Sequence, residues 1–519
     1  MPRHSLYRYA LLAPIGLLMM NAGCSTEPAA FVRVEPDRTF QTVGDWEATA
    51  RLWEFDKKED RFNGSWEPIA ESILTKMINE GGITRLRLEI RSGAENPVDY
   101  WSQFRSGQLS YARFKDKFYE KINDNADPAR LNPAGIQFSE LDFRVEALIL
   151  PAMRIAKRLG RPMRFTLCYV DFKWTDDKGT LSHARNPEEY AELIAAAYAH
   201  LKRKYDLLPD KLEIILEPDN SDEWRGRQIG QAIVAVTRRL EKGGFAPPLV
   251  IAPSTSLARN MLAYFDGMAK VPGAVAHLSE LSYHRYDRLV PDALLGQIRD
   301  RARKAGARPA MLEWTEGTID DLFDDITIAN VSGWQKYAIA SLSRSGRSIP
   351  GYMLSVASPE TPMPRIALTP QARALAQVFR FVDPGAVRIG AVSDSDDVRA
   401  VAFRNPDQRL SVVLKGAGRG WARSAIEWAE KGLGVAIPLP ATTGNSRTVR
   451  VAGLPTGSYL MQRVNRYSGA RLRCRFDLGQ GKALALKAGE SDVITLAQQG
   501  GGSDDPTSLL CERGVLQPV

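Results

Sequence analysis

Two strand-length apolar runs that each stop at a glutamate, Leu212-Glu213-Ile214-Ile215-Leu216-Glu217 and Pro309-Ala310-Met311-Leu312-Glu313, constrain the fold of this chain more than any other feature. Each is flanked by helix-like sequence, and a short strand delivering a carboxylate at its C-terminal end fits a β/α barrel, whose reactive groups sit at that end. The same rhythm recurs at Ile83–Ile90, Phe165–Tyr169, Leu249–Pro253 and Leu278–Tyr283. Alternation of strands with helical stretches predicts a parallel sheet with crossover helices, here an α/β fold of the TIM (β/α)8 type over residues 46–364. The helix before Glu217 is well marked. Asn186 is placed to cap it, Pro187 suits its first turn, and Glu188 and Glu189 complement the positive end of its dipole. Tyr190, Leu193, Ile194, Ala197, Tyr198 and Leu201 then form one apolar face.

A chain of 519 residues exceeds one ordinary core and predicts a barrel plus a second domain. Beyond Arg365 a single helix, Pro370–Phe379, gives way to short strands separated by Gly, Pro and Asp turns, among them Val398–Phe403, Leu410–Val413, Val435–Pro438 and Ser458–Val464. That pattern predicts an antiparallel β-sandwich over 365–497, with 498–519 as a loose tail. The second barrel strand is followed by a long loop, 91–141, rich in aromatics. Most of them read as the small core of an inserted helical subdomain, with one or two reaching a cleft where sugar rings stack.

The first 24 residues carry an address. Arg3, His4 and Arg8 precede an apolar run, Tyr9–Met20, that ends at Ala22-Gly23-Cys24. The run is too short to span a bilayer and fits a secretory signal. It also resembles a bacterial lipoprotein signal, which implies an acylated Cys24 as the mature N-terminus, a tether over 25–31, and a membrane anchor facing the periplasm or cell surface. Asn21 departs from that pattern, where an aliphatic residue is preferred, and an ordinary signal cut near Cys24 is the alternative. The net charge of +8 is spread thinly, without a basic block, which argues against nucleic-acid binding. Five scattered histidines and four cysteines suggest no metal centre and no zinc site. Cys168 reads as an inert core residue, and Cys474 and Cys511 are placed to pair in an oxidising compartment.

Two strand-end carboxylates in one barrel suggest glycoside hydrolysis, with one group protonating the leaving oxygen and the other attacking the anomeric carbon. The order Gln41-Thr42-Val43-Gly44, Leu86-Arg87-Leu88, Glu217-Pro218, His284-Arg285-Tyr286 and Glu313-Trp314 is similar to glycoside hydrolase clan A. With the terminal sandwich, joined by entering strands in 32–45, the chain most resembles glycoside hydrolase families 30 and 39. Asn123–Pro128 and Phe138–Asp142 are similar to the second-strand loop of those enzymes.

The resemblance implies a retaining hydrolase of a carbohydrate substrate that needs no cofactor, with Glu217 as acid/base and Glu313 as nucleophile. Arg87 and Tyr286 would hold the nucleophile, and His284 would sit near the acid/base or a sugar hydroxyl. Trp46, Trp174 and Trp314 are the remaining candidates for the substrate site. Glu316 competes with Glu313 because Trp314-Thr315-Glu316-Gly317 also imitates a strand ending. Glu313 is preferred since it directly follows the apolar strand. The departure is Leu216, where clan A enzymes place an Asn that binds the sugar 2-hydroxyl. Asn220 is the nearest replacement in sequence. Otherwise the sugar has an altered 2-position, or the protein is a noncatalytic carbohydrate-binding lipoprotein acting in export or surface assembly of a glycan.

Overall fold

The computed structural model describes residues 29–175, 178–343, 351–361, 363–416, 446–465, 469–489, 491–500, 509–511 and 516–518. Met1–Cys24, most of the tether and the expected strand Val435–Pro438 lie outside these residues.

Eight parallel strands close into a barrel: Asp45–Thr49, Arg85–Arg91, Arg164–Val170, Lys211–Glu213, Val250–Thr255, Leu278–Tyr283, Arg308–Met311 and Gly333–Leu342. Closure comes from the last strand pairing with both the seventh and the first. The fourth and seventh strands end their regular pairing before their glutamates. Leu216 N–H still donates to Tyr169 C=O at 2.9 Å, and Leu312 N–H to Tyr283 C=O at 3.0 Å, so both glutamates leave a tied backbone. The helix Pro187–Tyr205 forms where its periodicity places it, although Asn186 contributes no side-chain cap and instead donates to Ser182 C=O.

Strand parity decides which side chains enter the barrel. Glu47, Arg85, Arg87, Glu213 and Glu280 are all buried, and Arg85 bridges Glu280 (3.0 Å) and Glu47 (2.9 Å) while Lys211 joins Glu280. An ionic barrel interior of this kind is tolerated where opposite charges meet with hydrogen bonds, as Arg85 and Lys211 do with Glu47 and Glu280. Trp46, one position out of phase, points the other way. It stacks on Phe379 at 4.6 Å and donates to Val382 C=O, so it belongs to the packing beneath the outer helices and not to a substrate cleft as expected from sequence.

The second domain is a largely antiparallel arrangement within one eleven-stranded sheet. Ala30–Thr42 joins it as a single strand with register shifts, where the sequence suggested two, pairing antiparallel with Val387–Ser393 and parallel with Ser446–Ala452. Val32, Val34, Val412, Leu486 and Leu496 are among its core. The tail corrects one expectation. Leu509–Leu510 and Leu516–Pro518 add to the two sheet edges, and Cys474 and Cys511 form a disulfide, so the segment is tied by backbone pairing and a covalent link. Ion pairs of Arg399 with Asp324 and of Lys415 with Asp320 join the domains.

The excursion after the second strand contains the helices Tyr100–Arg105 and Tyr111–Asp116. Trp101, Phe104 and Phe114 pack with Phe62 and Phe143 as its core, while Tyr111, Phe118 and Tyr119 turn toward the barrel mouth.

Candidate active site

A cleft of about 600 Å³ opens at the C-terminal end of the barrel. Glu217 and Glu313 both line it. One carboxylate oxygen of each, with a ring nitrogen of His284, lies within 4.8 Å of the others.

Glu313 is held from two sides. Arg87, fully buried on the second strand, donates one guanidinium N–H to Glu313 Oε2 and another to Leu312 C=O at 3.1 Å. Tyr286 donates its hydroxyl to Glu313 Oε1 at 2.6 Å. Burial and the adjacent Glu313 charge push the Tyr286 phenol far up, so it stays a donor. Charge-assisted bonds to both oxygens fix the carboxylate's orientation.

Glu217 has a different environment. It takes a left-handed backbone, φ 46° and ψ 62°, at the entry to the 3-10 turn Pro218–Asn220. A non-glycine residue held there stores strain that its surroundings must balance. Asp219 provides that anchor by accepting from the backbone N–H groups of Ser256 and Leu257 and from the Asn260 amide. Glu217 Oε1 lies 3.0 Å from His284 Nδ1, and Oε2 accepts from the Asn220 amide at 2.8 Å. Burial raises the Glu217 pKa above the ordinary 4.5; His284 opposes the rise and the Glu313 charge adds to it. Burial alone would lower His284, but the bond to Glu217 and the Glu313 charge leave it raised above 6.5. The pair therefore holds protons more tightly when folded than when unfolded.

That asymmetry has a sign. Stability from a raised folded pKa is present at acid pH and is lost as pH climbs from the unfolded carboxyl value of 4.5 through the folded values. Wild-type Tm should fall relative to that of Glu217→Gln as pH is raised from about 4.5 to 8, the variant no longer carrying the buried charge. Thermal unfolding of both across that range checks it, and a constant difference would be the contrary result.

The remaining sequence candidates divide. Asn220 lines the cleft, but its amide is engaged by Glu217. Trp174 lies at the rim, half exposed and tilted over Phe172. Trp314 is buried behind Tyr286, edge-on at 5.4 Å, with its indole N–H on Asp321, so it supports the site without lining the cleft. Glu316 is exposed in the loop and outside the cleft, as its position one turn past the strand suggested. Leu216 lines the cleft within an apolar group formed with Tyr119, Cys168, Val170 and Phe172. Arg51 and Tyr337 went unread in the sequence. Both line the cleft, where Arg51 pairs with Glu89 at 2.8 Å and touches the Tyr337 hydroxyl. Their signal was position alone, just beyond the first strand and within the eighth.

Comparison with known proteins agrees with this architecture. Residues 385–416 match the glycosyl hydrolase family 30 beta sandwich domain. The fold is similar to that of the catalytic domain of GH30 xylanase C from Talaromyces cellulolyticus, at 13% identity and a TM-score of 0.60, covering 91% of this chain and 100% of that one. SrfJ from Salmonella typhimurium is similar at 14% identity and a TM-score of 0.59, covering 93% and 94%. The GH39 enzyme from Xanthomonas axonopodis pv. citri is similar at 11% identity and a TM-score of 0.55, covering 93% and 99%. No curated protein sequence matches the chain. The chain thus has the barrel-plus-sandwich architecture of glycoside hydrolase families 30 and 39.

Proposed function

We propose that the protein is a retaining glycoside hydrolase acting on a polysaccharide or oligosaccharide outside the cytoplasm. The observation that carries this reading is the Glu217–Glu313 pair, with carboxylate oxygens within 4.8 Å on the fourth and seventh strand ends. Retaining enzymes hold their two carboxyl groups about 5–5.5 Å apart, whereas inverting ones leave about 6.5–9.5 Å for a water. Glu313 attacks the anomeric carbon while Glu217 gives its proton to the departing glycosidic oxygen, whose bond to that carbon breaks. Glu217, now a carboxylate, takes a proton from water, and the resulting hydroxide displaces Glu313 from the sugar. The raised pKa of Glu217 suits it to the proton-donating task. The bonds from Arg87 and Tyr286 leave Glu313 aimed for attack. Incubation with a panel of purified bacterial and plant polysaccharides, read as new reducing ends, tests the activity against Glu217→Gln as the blank.

Leu216 favours one second reading, a noncatalytic carbohydrate-binding protein. An apolar wall stands beside the acid/base where an amide would grip the 2-hydroxyl. Binding of a polysaccharide with no reducing ends released, unchanged in Leu216→Asn, would favour that reading over hydrolysis.

The Met1–Cys24 pattern supports export and acylation at Cys24. Among the described residues no helix is long and apolar enough to cross a membrane, and a tethered cysteine carrying at least two acyl chains attaches a globular domain without a spanning helix. Cells fed an alkynyl fatty acid should label the wild-type protein and not Cys24→Ala; equal labelling, or none in either, contradicts the anchor.

A further inference from the structure

We propose that Glu95, Asp124 and Glu189 form a binding site for one divalent cation, Ca²⁺ by its chemistry, which pins the second-strand excursion to the helix Pro187–Tyr205. The site lies apart from the catalytic pair. Glu95 and Asp124 come from the excursion, and Glu189 and Glu192 stand three residues apart on the helix. One carboxylate oxygen from each of Glu95, Asp124 and Glu189 lies within 4.8 Å of the others. Glu192 stands one turn along the helix from Glu189 and is a further buried carboxylate.

Each carboxylate spends one oxygen on a protein donor and leaves the other bare. Glu95 Oε2 meets His183 Nε2 at 2.7 Å, and Asp124 Oδ2 accepts from the Asn125 amide and the Asn132 N–H. Glu189 Oε1 accepts from the Asn123 amide at 3.3 Å, and Glu192 Oε1 from Arg239 at 3.1 Å. The second oxygens, Glu95 Oε1, Asp124 Oδ1, Glu189 Oε2 and Glu192 Oε2, are buried with no hydrogen-bond partner. Glu95, Glu189 and Glu192 are only 1%, 7% and 2% exposed.

Buried carboxylate oxygens are ordinarily satisfied, and the clustered carboxylates of Glu95, Asp124 and Glu189 add mutual repulsion to lost hydration. Glu95, Asp124 and Glu189 meet only His183, side-chain amides and a backbone N–H, so the three carboxylates together keep a negative excess that one divalent ion balances. All candidate ligands are hard oxygens, and several protein carboxylates in a flexible array suit Ca²⁺ better than Mg²⁺, which retains most of its waters. The loop is shaped to keep Asp124 in place, since any side chain at Gly135 would strike its Cα and Cβ. The excursion so pinned carries Tyr111, Phe118 and Tyr119 into the cleft wall. The ion thereby sets the shape of the substrate site without entering it.

The test uses full-length protein stripped with EDTA, then titrated with CaCl₂ by calorimetry and followed by thermal unfolding. Wild type should bind one Ca²⁺ per chain and gain roughly 5 °C in Tm at a hundredfold excess over Kd. Glu189→Gln should be at least as stable as wild type in EDTA, having lost one buried like charge, and should lose the Ca²⁺ response. Asp124→Asn, at a partly exposed loop position, should lose it as well and serves if Glu189→Gln does not fold. No binding by wild type at millimolar CaCl₂, or a full response retained in a folded variant, overturns the proposal.

Discussion

Glu313→Gln is expected to lower kcat by roughly 10⁴- to 10⁶-fold, the range reached when one member of a covalent-catalysis set is removed. The amide is nearly isosteric: its oxygen accepts from Arg87 while its NH2 donates to the Tyr286 hydroxyl, which reverses its role, so the cleft keeps its shape while the attacking oxygen is lost. Substrate binding should change little, because the missing interaction forms only as the sugar–enzyme bond does. Glu316→Gln is the control: its side chain is exposed outside the cleft, and its kcat should stay within about twofold of wild type, surface changes being small in effect. Steady-state kinetics of both variants on the polysaccharide found active decide the assignment. Activity kept in Glu313→Gln and lost in Glu316→Gln would reverse it.

Glu217→Ala should separate the two half-reactions. With a polysaccharide, whose leaving oxygen needs a proton, the loss should be about 10²- to 10⁴-fold, the usual yield of general acid catalysis. With a 2,4-dinitrophenyl glycoside of the same sugar, the leaving group departs unprotonated and formation of the glycosyl ester should be nearly spared. Hydrolysis of that ester still lacks its base, so a burst of dinitrophenol followed by slow turnover is expected. Added azide, a nucleophile needing no base, should restore the steady rate. A loss equal on both substrates, with no burst, would mean that Glu217 does not act on the proton of the leaving group.

Much of the site was legible because barrel strands end where their chemistry begins. Glu217, His284 and Glu313 each follow an apolar run of strand length, and Arg87 sits within one, so position along the strand carried their placement. Trp46 misled because the parity of its neighbours places it on the opposite face. Glu47 and the buried arginines face inward, which turns Trp46 outward to Phe379. Asn220 was placed near the right spot, but its bond to Glu217 depends on a left-handed turn that no local pattern announces. Glu189 illustrates the deeper limit. By sequence it complements a helix dipole, and only the folded excursion brings Glu95 and Asp124 against it. Histidine and cysteine spacing reveals many metal sites, whereas these three carboxylates lie far apart in the sequence and share no loop motif.

The central claim is double displacement by Glu217 and Glu313. Its most direct test is the anomeric configuration of the first product, followed by ¹H NMR during hydrolysis of the active substrate before mutarotation erases it. The proposed mechanism predicts that the product appears first with the configuration of the bond that was cleaved; first appearance of the opposite anomer would contradict it.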